Sequence, residues 1–384
     1  MELFLFHFRQ TGNTVEQCFI GTPAFDTIDP ANLEALLSTK SKDFCFGRRR
    51  DLTFPLLGDG IFLQEGAAWK HSRELLRGPL QHRHYEHLDV FKQSVDDLIQ
   101  TLSSQPDVVD LQPLFFLLTL DVSTEFLFGE SVRSLKAPKS ASEQTFGNAF
   151  NTAQAVVAKR FRLPDLYWMI GGSKFQKACD DVHHFANQII DRNLASRNSK
   201  RSGVFLDLLA ESTADRDALR GQILNLLAAG RDSTACLLTW TFFLLVRHPR
   251  VLEKLREEVD AISSDLAEMT RTDLRKMSYL QNVLRETLRL YPSVPVNDRK
   301  ANKTTFLPTG GGPDRTAPVL IPKGASVAYS VYAMHRRSDF YGMDAELFRP
   351  ERWDEDMPMR CDRTTAAWGY LPFNGGPRTC LGSK

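Results

Sequence analysis

Cysteine is sparse and scattered. Cys18, Cys45, Cys179, Cys236, Cys361 and Cys380 form no C-x-x-C pair and no short-spaced array. That excludes a disulfide scaffold and a structural zinc site, and it fits a reducing compartment. An excess of one charge is lacking too. The 48 Lys and Arg against 47 Asp and Glu leave a net charge of +1 and no reason to expect nucleic acid. No apolar run reaches the ~20 residues of a spanning helix. MELFLFHF at the start is too short, and ACLLTWTFFLLV (235–246) lies between GRDST and RHPR, so it reads as a buried core helix. Repeats and low-complexity tracts are absent, and GGSK (171–174) lacks the length and strand context of a phosphate-binding loop.

What is present reads as an ordinary globular chain of 384 residues, 42% hydrophobic and 25% charged, long enough for a large core. TVEQCFIGTPAFDTID predicts two strands around a Gly-Thr-Pro turn. DPANLEALLST predicts a short helix with Asp29 near its N-cap and Pro30 at its start. Helical periodicity dominates from about 65 to 260, including a long run from RDALRGQ to LLVRH that Pro249 ends. PRVLEKLREEVDAI and LQNVLRETLRLYP are further helices, and beyond 291 VLIP and ASVAYSVYAM read as strands. Stretches 131–144 and 196–203 read as surface loops, and His82, His84 and His87 as a solvated face without a metal partner. The expectation is one helix-rich domain over 1–384, mainly α with small β-sheets.

The chemistry concentrates in FNGGPRTCLG (373–382). A thiolate is a strong iron ligand only if kept from protonation and oxidation, and backbone N–H groups and a helix N-terminus can do both. Gly375, Gly376 and Gly382 allow close backbone approach, Pro377 stiffens the loop, and Arg378 suits an anionic cofactor edge. The stretch resembles the haem-binding signature of the cytochrome P-450 family, matching at Phe373, Gly376, Arg378, Cys380 and Gly382. The resemblance implies that Cys380 is the axial ligand of haem b, a ligation that favours O–O cleavage.

Further motifs follow in the family's order. AGRDST (229–234) puts Gly230, Asp232, Ser233 and Thr234, all poor helix formers, inside an apolar helix, which predicts a local distortion. It resembles the oxygen-activation motif, with Asp232 as the acid and Ser233 as the alcohol; the family usually has threonine there. Thr234 is a neighbouring candidate about 100° round the helix. RETLR places Glu286 and Arg289 on one face. Such a pair is ordinarily a solvated one worth ~0.3–0.5 kcal/mol, but it resembles the E-x-x-R helix. FRPERW resembles the matching loop with Arg352 as third member, so the three are expected as a structural triad. WKHSR resembles W-x-x-x-R, giving Trp69 and Arg73 as donors to haem propionates, with Arg299 and Arg378 as further partners.

The resemblance implies a monooxygenase that inserts one oxygen atom of O2 into a C–H bond of a hydrophobic small molecule. Electrons would come from NADPH through NADPH-cytochrome P-450 reductase. AGRDST, NDRK, MHRRSDFYG and FRPERW look most like the fungal branch that hydroxylates n-alkanes and fatty acids. It also implies the cytoplasmic face of the endoplasmic reticulum membrane, reached through an N-terminal anchor outside this sequence. Because the family continues past the cysteine with a helix and a sheet, a non-catalytic truncated fragment that holds haem weakly is the alternative. A haem-thiolate isomerase or dehydratase would not need Asp232 and Ser233.

Overall fold

The computed structural model describes residues 1–19, 22–81, 88–104, 108–136, 141–195, 205–213, 215–262 and 269–383. The histidines of QHRHYEH and the loop 196–203 lie outside them. In chain order the helices are α1 (Glu2–Thr11), α2 (Pro30–Glu34), α3 (Arg49–Leu57), α4 (Gly66–Gln81), α5 (Asp89–Ser103), α6 (Leu111–Phe128), α7 (Ala141–Arg162), α8 (Ser173–Ala195), α9 (Phe205–Ser212), α10 (Arg216–Arg247), α11 (Pro249–Ile262), α12 (Arg271–Lys276), α13 (Ser278–Leu290), α14 (Val331–Met334), α15 (Ser338–Tyr341) and α16 (Arg363–Trp368). The strands are β1 (Thr14–Phe19), β2 (Thr22–Thr27), β3 (Phe44–Cys45), β4 (Val296–Ala301), β5 (Thr305–Gly311), β6 (Ala317–Ile321) and β7 (Ser326–Ser330). They gather into two compact units, one of Met1–Gly47 with Trp240–Lys384, the other of Arg48–Thr239.

The first unit is built on a sheet of order β1-β2-β7-β4-β3, with β2 parallel to β7 and the other neighbours antiparallel. The hairpin β5–β6 stands apart as a second sheet. Phe25, Val327 and Tyr329 of the large sheet share a core with Leu33, Leu36 and Leu37. Each such aliphatic or aromatic side chain, fully buried, contributes about 1.5–3 kcal/mol. Asp29 caps α2 as predicted, its Oδ1 accepting the N–H groups of Ala31 at 3.0 Å and Asn32 at 3.4 Å. Beyond α2 the helix widens over Ala35–Thr39, where Lys40 N–H reaches back five residues to the Ala35 carbonyl at 2.8 Å. Buried Asn32 ties this segment to the small hairpin through Thr309, whose carbonyl accepts from its Nδ2 and whose N–H donates to its Oδ1, both at 3.0 Å.

The second unit is helical. Its core includes Leu98, Phe115, Leu118 and Ala235. Helix α6 is the one described helix long and apolar enough to cross a membrane by length and composition, but half of that stretch is buried in the protein. It also carries buried Asp121, whose carboxylate accepts the N–H groups of Ser134 and Leu135. Those features belong to a core helix.

Three local expectations are corrected. Residues 141–144 are not loop: α7 begins at Ala141, and its buried Phe146, Ala149, Phe150 and Ala153 lie on one face. Phe146 stacks on Phe185 of α8 with ring centroids 4.3 Å apart. The stretch VYAM is not strand: Ser330, the last residue of β7, accepts from Ala333 N–H at 3.1 Å through its Oγ and starts α14. The distortion expected at AGRDST is absent, because α10 runs unbroken from Arg216 to Arg247. Ser233 Oγ donates to the Ala229 carbonyl at 2.7 Å inside the helix, so its competition with the backbone is met without a kink. A side chain at Gly230 would meet Ser123 Oγ of α6 at 3.2 Å, so packing against α6 favours glycine there.

Candidate functional site

In the first unit, Cys380 ends a tightly turned loop. Its N–H donates to the Phe373 carbonyl at 2.9 Å, and Thr379 N–H donates to Gly376 at 3.0 Å. The turn rests on Gly376, which sits at φ +68, and a Cβ there would lie 2.1 Å from the Leu37 carbonyl. The demand for glycine at this position therefore comes from the wide turn after α2. Asn374, also at positive φ, accepts from the Tyr329 hydroxyl at 2.9 Å and donates to the Arg378 carbonyl at 3.3 Å. Two elements of the unit thus fix the loop from beneath.

The thiol is exposed, and Gly382 N–H donates to Sγ at 3.3 Å. Leu381 and Gly382 form a turn, so among the described residues no helix N-terminus follows the cysteine. At Gly382 a Cβ would meet Sγ alone, at 3.8 Å. Phe373 is 39% exposed, leaving its ring beside the loop largely in the open.

Two of the predicted cations converge. The Arg378 guanidinium lies 4.3 Å and that of Arg299 4.7 Å from the Phe46 ring centre. Arg299 is buried, yet its hydrogen bonds go to the Asn297 side-chain oxygen and the Asp298 carbonyl, not to a carboxylate. Phe46 was not legible as a site residue: it lies far in sequence from both arginines and in no motif. A free thiol with an N–H aimed at it, an uncovered aromatic ring and two guanidiniums on one ring suit a flat, iron-bearing, dianionic group. The residues therefore fit haem.

The triad predicted from RETLR and FRPERW is assembled. Glu286 and Arg289 are 0% exposed and Arg352 1%. Arg289 Nε and Nη2 grip both oxygens of Glu286 at 2.8 Å, and Arg352 Nε reaches Oε1 at 3.4 Å. Sequence missed two more donors to Glu286, the Arg349 N–H at 3.0 Å and the Trp353 indole N–H at 3.1 Å. Arg289 also donates to the carbonyls of His335, Ala345 and Leu347. Arg352 donates to Asp344 Oδ1 at 2.8 Å and to the Tyr341 carbonyl. Buried charge is tolerable here because every polar atom of the cluster is matched.

In the second unit, Asp232, Ser233 and Thr234 lie on α10, the first half-buried and the other two exposed. Asp232 Oδ1 pairs with Arg231 Nη1 at 3.1 Å, and Oδ2 accepts from Gln154 Nε2 of α7. Burial pushes the Asp232 carboxyl above the usual carboxylate range, with Arg231 and Gln154 opposing. Arg231 is itself buried and held by Asn151 Oδ1 at 2.6 Å and Gln154 Oε1 at 3.1 Å. Its Nε has no hydrogen-bond partner, and its guanidinium lies 5.1 Å from the Phe116 ring centre. Arg231 stands inside AGRDST, but Asn151 and Gln154 lie on α7 and in no motif. Trp69 and Arg73 share one face of α4, the guanidinium 5.7 Å from the indole centre.

The whole sequence, residues 1–384, matches the family described as cytochrome P450. A protein named cytochrome P450 from Arthroderma benhamiae is 46% identical, over 100% of this chain and 75% of that protein. Cytochrome P450 52A13 of Debaryomyces hansenii is 42% identical, over 95% of this chain and 73% of its own. Cytochrome P450 52A4 of Candida maltosa is 43% identical, over 97% and 72%. Among solved structures, the haem domain of cytochrome P450DA superposes with a TM-score of 0.82 at 21% identity, over 99% of this chain and 81% of that one, a likeness of fold.

Proposed function

The chain belongs to the cytochrome P450 family and is a monooxygenase by class, and on that premise we propose that it hydroxylates a fatty acid or n-alkane with Cys380 as the haem ligand. The observation that carries the proposal is the Cys380 loop: an exposed thiol receiving the Gly382 N–H, in the unit where Arg299 and Arg378 meet on Phe46. The choice of substrate class rests on AGRDST, NDRK, MHRRSDFYG and FRPERW, which resemble the fungal branch acting on such chains. The 52A relatives from Debaryomyces and Candida are in keeping with it.

Bound haem supplies the iron at which O2 is reduced and cleaved, one atom going into a C–H bond and the other leaving as water. The protein's residues do the rest. Cys380 Sγ is held as a thiolate ligand, its charge supported by the Gly382 N–H. Arg299, Arg378, Trp69 and Arg73 are donors for the two haem carboxylates, orienting the ring. Asp232 holds and releases a proton at its carboxylate; its raised proton affinity brings it nearer the working pH. Ser233 Oγ carries the proton on, turning from its bond to the Ala229 carbonyl. Two electrons come from NADPH through the family's reductase, and the reading puts the enzyme at the cytoplasmic face of the endoplasmic reticulum membrane.

The decisive measurement is the carbon-monoxide difference spectrum of the reduced, haem-loaded protein. The red-shifted thiolate band is expected in the parent and in Cys18, Cys45, Cys179, Cys236 and Cys361 variants, and lost in Cys380→Ala. A red-shifted band surviving in Cys380→Ala would end the assignment. Titration with fatty acids and n-alkanes of increasing length should shift the ferric spectrum; a response confined to polycyclic compounds would refute the substrate class.

A further inference from the structure

His335 follows α14 and is completely buried. A polar ring in that position needs partners, and it has two whose roles cannot be exchanged. The Leu371 amide N–H, 2.9 Å from Nε2, can only donate. The Arg289 carbonyl, 3.1 Å from Nδ1, can only accept. The ring is therefore neutral with its proton on Nδ1; the other tautomer and the imidazolium each lose the Leu371 bond. Burial and the Arg289 guanidinium push the imidazole down to about 3, in line with that geometry.

Both partners matter by position. Arg289 belongs to the buried triad, and its guanidinium donates back to the His335 carbonyl at 2.7 Å. Leu371 opens the segment that ends on Cys380, two residues before Phe373. The same root is pinned by Tyr341, whose hydroxyl donates to the Gly369 carbonyl at 2.9 Å. Tyr370 stacks on the His335 ring with centroids 5.0 Å apart and donates to the Arg285 carbonyl at 3.1 Å. Among these contacts, His335 makes the one bond that grips the amide leading into the loop.

We propose that His335 is a positioning residue that sets the Cys380 loop against the Glu286–Arg289 helix through one atom, Nε2, and so fixes where the thiolate sits. The proposal rests on the reading of Cys380 as the iron ligand. Ligand geometry of this kind has to be held to within about 0.5 Å, which falls to the residues behind the ligand.

The test uses two variants of similar bulk. His335→Gln keeps an acceptor where Nε2 was. His335→Asn keeps a donor where Nδ1 was and leaves the Leu371 N–H buried without an acceptor. In haem-loaded protein, His335→Asn should release haem to an apo-acceptor about ten- to a hundredfold faster. It should also convert part of the red-shifted carbon-monoxide band to the unshifted form, and speed hydrogen exchange at the Leu371 amide. His335→Gln should stay near the parent in all three readouts. Equal behaviour of the two variants, or greater damage in His335→Gln, would overturn the proposal, because a packing role predicts the first and a role through Arg289 the second. Cys380→Ala run alongside separates the two claims. Persistence of the red-shifted band there would sink the ligand assignment, whereas its loss with matched His335 variants would sink the positioning role alone.

Discussion

Glu286 and Arg289 are 0% exposed, and the carboxylate accepts five hydrogen bonds from four residues. Asp232 stands half-buried with two partners, Arg231 and Gln154, while Ser233 and Thr234 beside it are exposed. Both regions hold charge away from open solvent, but they hold it differently. Around Glu286 each donor is fixed by another element, so no member can move without stranding a buried charge. Around Asp232 the partners are few and the carboxyl is pushed toward protonation. Charge that serves as a strut is enclosed and over-bonded; the charge at Asp232 is only half-buried and has fewer partners, as the relay proposed for it requires.

The comparison can be broken hardest at the strut. Glu286→Ala leaves Arg289 buried without a counter-charge and Arg352 with Asp344 alone, a change that typically costs about 3–5 kcal/mol. Soluble haem-loaded protein should be almost entirely lost, as measured by haem absorbance per chain after purification. Normal yield and haem content would mean the cluster is not holding the fold.

At the relay the effect should be smaller and of another kind. Asp232→Asn should lower product turnover about 10²–10⁴-fold while haem content and the thiolate band stay at parent levels. Ser233→Ala should divert electrons to peroxide, and Ser233→Thr should be neutral or improve coupling. Unchanged turnover and coupling in all of these would remove the relay from α10.

Phe46 sharpens the contrast, since it gathers cations without charge of its own. Each guanidinium–ring contact is worth about 0.5–2 kcal/mol. Phe46→Leu should therefore raise the rate of haem release to an apo-acceptor by up to about tenfold, with turnover per bound haem unchanged. A release rate equal to the parent's would mean the ring does not hold the two arginines.

The smallest expected effect is a slope with pH. Burial first, and then the Arg289 and Arg336 guanidiniums, push the His335 imidazole down from 6.5 to about 3, with the Tyr341 and Tyr370 rings facing it. Between those values the unfolded chain binds a proton that the native state refuses. Stability contributed by His335 is therefore full above about 6.5 and falls as the pH drops toward about 3. The thermal midpoint should fall from about pH 7 to about pH 5, and more steeply in the parent than in His335→Gln. Parallel slopes would exclude His335 as a source of acid sensitivity.

Much of this was readable in advance for local reasons. The Cys380 loop and the Glu286–Arg289 pair lie within single short stretches that resemble family motifs, and the structure forms the turn and the buried pair there. Asp29 was legible as a cap because its bonds are local. What escaped depends on distant chain. Phe46 becomes a site residue only when β3 pairs with β4 and Arg299 arrives. Gln154 lies on α7, in no motif and 77 residues or more from Arg231 and Asp232, and meets them only when α7 packs beside α10. The kink wrongly expected at AGRDST came from treating poor helix formers as breakers; Ser233 bonds backward within the helix instead.

The parallel pairing of β2 with β7, Phe25 against Val327, bears on biogenesis. Residues Arg48–Thr239 form a contiguous unit, whereas the unit holding Cys380 is made of the first 47 residues and everything from Trp240 on. A ribosome releases chain from the N-terminus, and segments fold as their contacts become available. The all-helical unit can close while synthesis continues; the sheet cannot, because its second strand must wait for its seventh. Closing so long a stretch of chain is also the slow kind of contact to make. The unit that carries Cys380 thus closes after the helical one, and α1 to β2 stay without their partner strand until β7 has been made.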